Sequence, residues 1–254
     1  MGVERPIIVG GGVGPMAGVA LHARIIEQTL TDGTDQNHLT VLHFSCSSRI
    51  PDRTEYLLGK GMENPALGMG EVFRSAWEAI RVLGYEQAGA VGGVPCNTFH
   101  APEIFTVFLQ KLEEQNIRIQ MIHMLEETVR FLTELFPSLK KVGVLSTTGT
   151  RRSSVYRNLL ERKGFTVLEV PEEQQNEVQE AIYDPVWGIK AKSPVTERAR
   201  RQVLRLIEVL RHQGAEAVVL GCTELPLAVP EHDVEGMLLV DPVVALARAL
   251  VKEA

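Results

Sequence analysis

Ile7-Ile-Val-Gly-Gly-Gly-Val-Gly14 is an apolar, β-branched run that empties into glycines just before a segment with apolar residues at helical spacing. It reads as a strand, a tight loop and a helix, and the same rhythm extends outward along the chain. Strands are expected at 6–10, 40–45, 88–94 and 118–122, with helices at 16–30, 71–83 and 103–115 between them. Within 71–83, Val72, Ala76, Ile80 and Leu83 share one helical face. The second half continues with strands at 141–145, 165–170, 217–220 and 237–240 and helices at 151–163, 194–213 and 242–252. Strands that alternate with helices build βαβ units, so the expected class is α/β with mostly parallel sheets flanked by helices.

A longer echo runs beneath this alternation. Val142-Gly-Val-Leu-Ser-Thr-Thr-Gly-Thr150 repeats the layout of the opening segment, a strand running into a loop of small residues before a helix. Later in each half a strand ends at a cysteine, in Gly92-Gly-Val-Pro-Cys-Asn-Thr98 and in Val218-Val-Leu-Gly-Cys-Thr223. Cys96 and Cys222 lie 126 positions apart (222 − 96), about half of the 254-residue chain. Two similar lobes, each offering a thiol from the carboxyl end of a strand, would meet across a cleft. Chance echoes of this kind also occur in unduplicated α/β chains, so the pattern alone leaves both readings open.

Composition narrows the functional classes. Hydrophobic residues make up 44% of the chain, enough to bury a core. A formal charge of −6 disfavours a nucleic-acid binder, which needs a basic face to neutralise phosphates. No run of eighteen apolar residues suggests a membrane span, and Met1-Gly-Val-Glu-Arg5 lacks the cationic start of a signal peptide. Three scattered cysteines (Cys46, Cys96 and Cys222) do not form a disulfide framework and point to a reducing cytoplasm, where a special thiol is there for its reactivity.

Gly12-x-Gly14-x-x-Ala17 matches a permissive dinucleotide-binding pattern, but the next expected strand ends His43-Phe-Ser-Cys46 without the acidic residue that would hold a ribose. Pro15 after Gly14 suits a helix start, and a loop there whose backbone N–H groups cradle a small anionic substrate fits better. Cys96-x-x-x-His100 and Cys222-x-Glu224 have no common zinc spacing, and the other histidines are scattered, so no metal is expected. His100 follows Cys96 by about one helical turn and is instead a candidate for tuning the thiol. What remains is the pair of loops Pro95-Cys-Asn-Thr98 and Gly221-Cys-Thr-Glu224. A lone buried cysteine is usually inert core. Two in near-equivalent loops, each at an expected helix start and each followed by polar residues, favour reactive thiols shifted toward thiolate.

Val94-Pro-Cys-Asn-Thr98, Gly221-Cys-Thr-Glu224, Ile50-Pro-Asp-Arg-Thr54 and Ser146-Thr-Thr-Gly-Thr150 together resemble the aspartate/glutamate racemase superfamily, and within it the aspartate racemase branch. The resemblance covers essentially the whole chain. It implies two pseudo-symmetric α/β lobes, an active site in the interlobe cleft that needs no cofactor, and a homodimer. It also implies that the C-terminal helix returns to the first lobe. On that basis the first lobe takes residues 1–118 plus 232–254 with Cys96, and the second takes 119–231 with Cys222.

The implied chemistry is racemisation of a small acidic amino acid in the cytoplasm, with Cys96 and Cys222 carrying protons on opposite faces of the α-carbon. By the same resemblance Asn97, Thr98, Thr148, Thr150 and Thr223 hold the α-carboxylate and amino group, with Glu224, Gly12 and Met16 also lining the site. Arg53 matches the arginine that meets the side-chain carboxylate. As a residue type it would otherwise be read as a surface partner of Asp52 or Glu55. Lys190 matches a second basic residue, with Lys192 as the alternative should the register shift.

Glutamate racemases usually carry an acidic residue in the first glycine loop and a histidine after the second Cys-Thr. Here those places hold glycines and Glu224. Ser45-Cys-Ser-Ser48 stands where many aspartate racemases have asparagines, which leaves room for a different specificity. Hydantoin racemisation, maleate cis–trans isomerisation, broad amino-acid racemisation and non-catalytic sensing of acidic amino acids are the alternatives on this scaffold. Cys46 is read as a small buried residue.

Overall fold

A computed structural model describes residues 4–61 and 63–254. Met1–Val3, part of the segment inspected for a leader, and Met62 lie outside the described residues. The chain divides into two compact units, Met1–Glu127 with Val243–Ala254, and Thr128–Pro242.

The first unit opens with β1 (Ile7–Gly11), α1 (Pro15–Gln28), β2 (Val41–Ser45), α2 (Arg53–Leu57) and α3 (Pro65–Val82). It continues through β3 (Ala90–Gly93), α4 (Pro102–Glu114), β4 (Ile119–Ile122) and the start of α5 (Met124–Leu135). The four strands are parallel in the order β2-β1-β3-β4. β1 is buried at every position, as a central parallel strand covered on both faces should be. Its core includes Ile8, Val72, Phe73, Ile80, Phe99 and Phe108, with Phe73 and Phe108 edge to face at 5.1 Å. α3 starts before the expected 71, because Pro65 occupies its first turn and the Asn64 side chain accepts the Ala66 N–H at 2.9 Å.

The second unit holds β5 (Lys141–Ser146), α6 (Thr148–Arg152), α7 (Val155–Glu161), β6 (Thr166–Leu168), α8 (Gln175–Tyr183) and α9 (Glu197–His212). After these come β7 (Ala217–Gly221), α10 (Leu225–Ala228), β8 (Asp233–Val234) and β9 (Met237–Val240). The sheet order is β6-β5-β7-β9-β8, parallel except for the β8–β9 pair. Stripped of β8, this is the order of the first sheet, so β1 corresponds to β5 and β3 to β7. The helix expected over 151–163 is broken, because Ser154 takes a left-handed φ of 53° between α6 and α7.

The last element, α11 (Pro242–Glu253), packs Leu246 and Leu250 against Gly93 of β3, which groups it with the first unit. The units divide at 127/128 and 242/243, not at 118/119 and 231/232 as expected. Backbone pairing explains the difference. β4 lies in register beside β3, Ala90 opposite Ile119, while β9 lies beside β7, Ala217 opposite Leu238. No helix among the described residues is long and apolar enough to cross a membrane.

Candidate active site

In the first unit β3 runs out through Val94 and Pro95 to Cys96, which is 6% exposed. The Cys96 N–H donates to the Val94 carbonyl at 2.8 Å, and its own carbonyl accepts from the Phe99 N–H at 3.2 Å and from His100 Nδ1 at 2.9 Å. A carbonyl only accepts, so Nδ1 carries the proton. His100 therefore braces the loop through its main chain. It is wholly buried, stacked on Phe105 at 4.8 Å with the His123 ring 4.7 Å away, and burial holds its pKa well below the ordinary histidine value. Asn97 and Thr98 follow the thiol and are buried with it.

The Pro-Asp-Arg-Thr segment divides its labour locally. The Asp52 carboxylate caps α2 by accepting the Glu55 N–H at 2.9 Å, and Glu55 pairs with Lys60 at 2.9 Å. Arg53, 8% exposed, reaches back so that Nη2 donates to the Val13 carbonyl at 3.1 Å and Nη1 to the Pro51 carbonyl at 3.2 Å. It thereby ties α2 to the glycine loop. The loop's glycines answer to this packing. Gly12 has φ +85°, and a Cβ there would stand 2.7 Å from the backbone nitrogens of Cys46 and Ser47. Met16, at the start of α1, is about half exposed.

In the second unit β7 delivers Cys222, also 6% exposed, directly after Gly221. The Cys222 thiol donates to Glu224 Oε2 at 3.1 Å, and the Thr223 hydroxyl donates to the same oxygen at 3.2 Å. The other carboxylate oxygen receives the Lys190 ammonium, which also lies 5.4 Å from the centre of the Tyr183 ring. Burial first, and then the Glu224 charge, push the Cys222 thiol well above its ordinary pKa, while Lys190 acts in the opposite direction. This reverses the expected shift toward thiolate. α10 begins three residues later and is only four residues long, so its backbone dipoles do not outweigh burial beside a carboxylate.

The threonine segment closes β5 in the same manner. Thr147 Oγ1 accepts the Thr150 N–H at 3.3 Å and lies 3.1 Å from Thr150 Oγ1, capping α6. Thr148 donates its N–H to Gln179 Oε1 at 3.1 Å. Two buried neighbours escaped the sequence reading. Gln175 donates to the Ser146 carbonyl at 3.0 Å, and Tyr156 packs against Gly221 with a phenol whose pKa is driven up by burial. No local motif marks either one, since both arrive from helices distant in sequence.

The candidate residues thus fall into two groups. Gly12, Met16, Arg53, Cys96, Asn97 and Thr98 belong to the first unit, and Thr148, Thr150, Lys190, Cys222, Thr223 and Glu224 to the second. Lys192 follows two residues after Lys190, and Cys46 closes the end of β2, half-buried. Among the described residues, no three His, Cys, Asp or Glu side chains are grouped as ligands for a metal ion.

A family model for Asp/Glu/hydantoin racemases matches residues 11–250. The aspartate racemase of Picrophilus torridus is similar in structure, with a TM-score of 0.76 and 25% identity over 99% of this chain and 94% of that one. The glutamate racemase of Pseudomonas aeruginosa is 27% identical over 183 residues, 71% of this chain and 63% of that protein. The glutamate racemase of a Synechococcus strain is 32% identical over 116 residues, 44% of this chain and 40% of that protein. The chain therefore spans less than two thirds of either glutamate racemase.

Proposed function

The chain belongs to the Asp/Glu/hydantoin racemase family, and from that premise we propose that it interconverts the L and D forms of aspartate or a related acidic amino acid, with Cys96 and Cys222 as the two proton carriers. The observation that carries this reading is the equivalent placement of the two thiols. β3 and β7 occupy the same position in sheets that share one order once β8 is set aside, and each leads, within three residues of its end, to a buried cysteine followed by buried polar side chains. In this mechanism one sulfur removes the α-proton and the other returns a proton to the opposite face, with their roles exchanged for the other enantiomer. General acid–base catalysis of this type contributes roughly 10²–10⁴-fold in rate. Arg53 and Lys190 are the cations proposed for the side-chain carboxylate, a role for which a guanidinium fork is geometrically suited. Thr148 and Thr150, with Asn97, Thr98 and Thr223, are proposed for the α-carboxylate and amino group. The likeness to the Picrophilus torridus aspartate racemase supports aspartate as the first substrate to try.

Chiral chromatography over a panel containing both enantiomers of aspartate and glutamate, other amino acids, hydantoins and maleate tests the proposal. Approach to a racemic mixture from either enantiomer of an acidic amino acid is the expected result. Turnover of only a hydantoin or maleate would move the chain to another reaction on the same scaffold. Binding of aspartate in a calorimeter with no change in optical rotation would make it a sensor.

A further inference from the structure

Glu224 does more than line the surroundings of Cys222. Its side chain is 5% exposed, and each carboxylate oxygen is engaged: Oε1 by the Lys190 ammonium, Oε2 by the Thr223 hydroxyl at 3.2 Å and the Cys222 thiol at 3.1 Å. A carboxylate paired with an ammonium and receiving two further donors is held ionised and acts only as an acceptor. We propose that Glu224, anchored by Lys190 and Thr223, is a positioning residue that keeps the proton on Cys222, so that Cys222 meets substrate as the acid.

This inference rests on the reading of Cys222 as a reacting group. The groups acting on its sulfur are the carboxylate and the main-chain N–H of Glu224 from the loop after β7, Lys190 from the turn after α8 and Tyr156 from α7, with Asp241 acting electrostatically on Tyr156. A thiolate formed here would stand beside a carboxylate with Lys190 as the offsetting charge, and the raised pKa of Cys222 agrees with that arrangement. When Cys222 acts, its S–H bond breaks and a Cα–H bond forms. The thiolate left next to Glu224 is then a strong base, primed to take a proton when the cycle runs the other way. Glu224 itself neither gains nor loses a proton.

The test titrates the thiol directly and needs no substrate. In a Cys46→Ala, Cys96→Ala background, Cys222 is the remaining thiol. Its thiolate is followed by ultraviolet absorbance against pH, as the difference from a variant that also lacks Cys222. Glu224→Gln should move the midpoint to lower pH. At a fixed pH below both midpoints, the thiolate fraction then rises by roughly tenfold for each pH unit that the midpoint falls. Lys190→Met should move the midpoint upward, and it serves as the independent arm if Glu224→Gln does not fold. An unchanged or higher midpoint in Glu224→Gln, or an unchanged or lower one in Lys190→Met, overturns the proposal. Because the readout is a titration, a chain that failed to racemise any substrate would still give a clear answer, and a failed titration would leave the racemase reading standing.

Discussion

A proton that leaves one face of a carbon and returns to the other needs a group on each side, so replacing the two thiols separately is the most direct test at the residue scale. Cys96→Ala and Cys222→Ala should each lose racemisation by roughly 10²–10⁴-fold. With one of the two proposed proton carriers left, each variant should still exchange the α-proton of one enantiomer for deuterium, the two preferring opposite enantiomers and Cys96→Ala, whose remaining carrier is held protonated by Glu224, exchanging the more slowly. Proton NMR beside chiral chromatography reads both quantities, and near wild-type racemisation in either variant would make that cysteine structural. Arg53 is a composite case, since its guanidinium already donates to the Val13 and Pro51 carbonyls. Hydrogen bonds to a charged group contribute about 1.5–3 kcal/mol each, so Arg53→Ala should lower stability as well as activity on aspartate. Arg53→Lys separates the two roles: a raised KM for aspartate with the unfolding midpoint largely kept supports contact with substrate. An unchanged KM would leave Arg53 as a brace between α2 and the glycine loop.

At the scale of elements, the junction of β1 and α1 is a tight backbone constraint beside the candidate residues of the first unit. Gly12→Ala adds a Cβ 2.7 Å from two backbone nitrogens and forces a left-handed φ on a residue that resists it. Unfavourable backbone conformations cost about 1–3 kcal/mol each, and the clash adds to that. Urea unfolding should therefore show a loss of at least this size, whereas a neutral Gly12→Ala would mean that the turn after β2 yields easily. The start of α3 offers a contrast at a helix cap. Asn64→Ala removes the cap on Ala66 N–H and the bonds to the Tyr56 hydroxyl and Glu103 carbonyl, and cap removal typically costs about 0.5–2 kcal/mol. Thermal unfolding measures this loss.

The whole molecule should respond to pH on both sides of neutrality, for opposite reasons. His100 is buried neutral in the folded chain but is free to protonate once unfolded. Its contribution to stability is full above the ordinary histidine pKa of about 6.5 and is lost as pH falls below it. The slope from one such group is at most about 1.4 kcal/mol per pH unit. His100→Gln should flatten the acid limb of a plot of urea midpoint against pH, whatever its effect at neutrality; an equally steep limb would assign acid sensitivity elsewhere. Cys222 acts in reverse, because its folded pKa is raised. Its contribution is full below the unfolded thiol pKa, about 8.5, and declines as pH rises from there toward the folded value. Cys222→Ala should remove that part of the alkaline loss. The proposed reaction should survive dialysis against a chelator and treatment with hydroxylamine, since the two-thiol mechanism routes both proton transfers through Cys96 and Cys222. Activity lost there and restored by a metal or by pyridoxal phosphate would overturn the two-thiol mechanism.

The sequence by itself determined the alternation of strands and helices and the two Cys loops, because hydrophobic periodicity and short motifs are local properties written in consecutive residues. Its strand expectations at 40–45 and 217–220 lie within a residue of β2 and β7. Sheet membership was decided only by the tertiary structure. β4 and β9 look like any other apolar run until their backbone hydrogen bonds to β3 and β7 are seen. The same holds for the surroundings of the second thiol. Lys190 and Glu224 are separated by 34 positions, and nothing local in either segment says that they pair, or that the pairing holds a carboxylate against Cys222. Charge states depend on what the fold brings within a few ångströms and on how much water it excludes. A short helix start visible in the sequence therefore suggested a lowered thiol pKa, whereas burial beside Glu224 raised it.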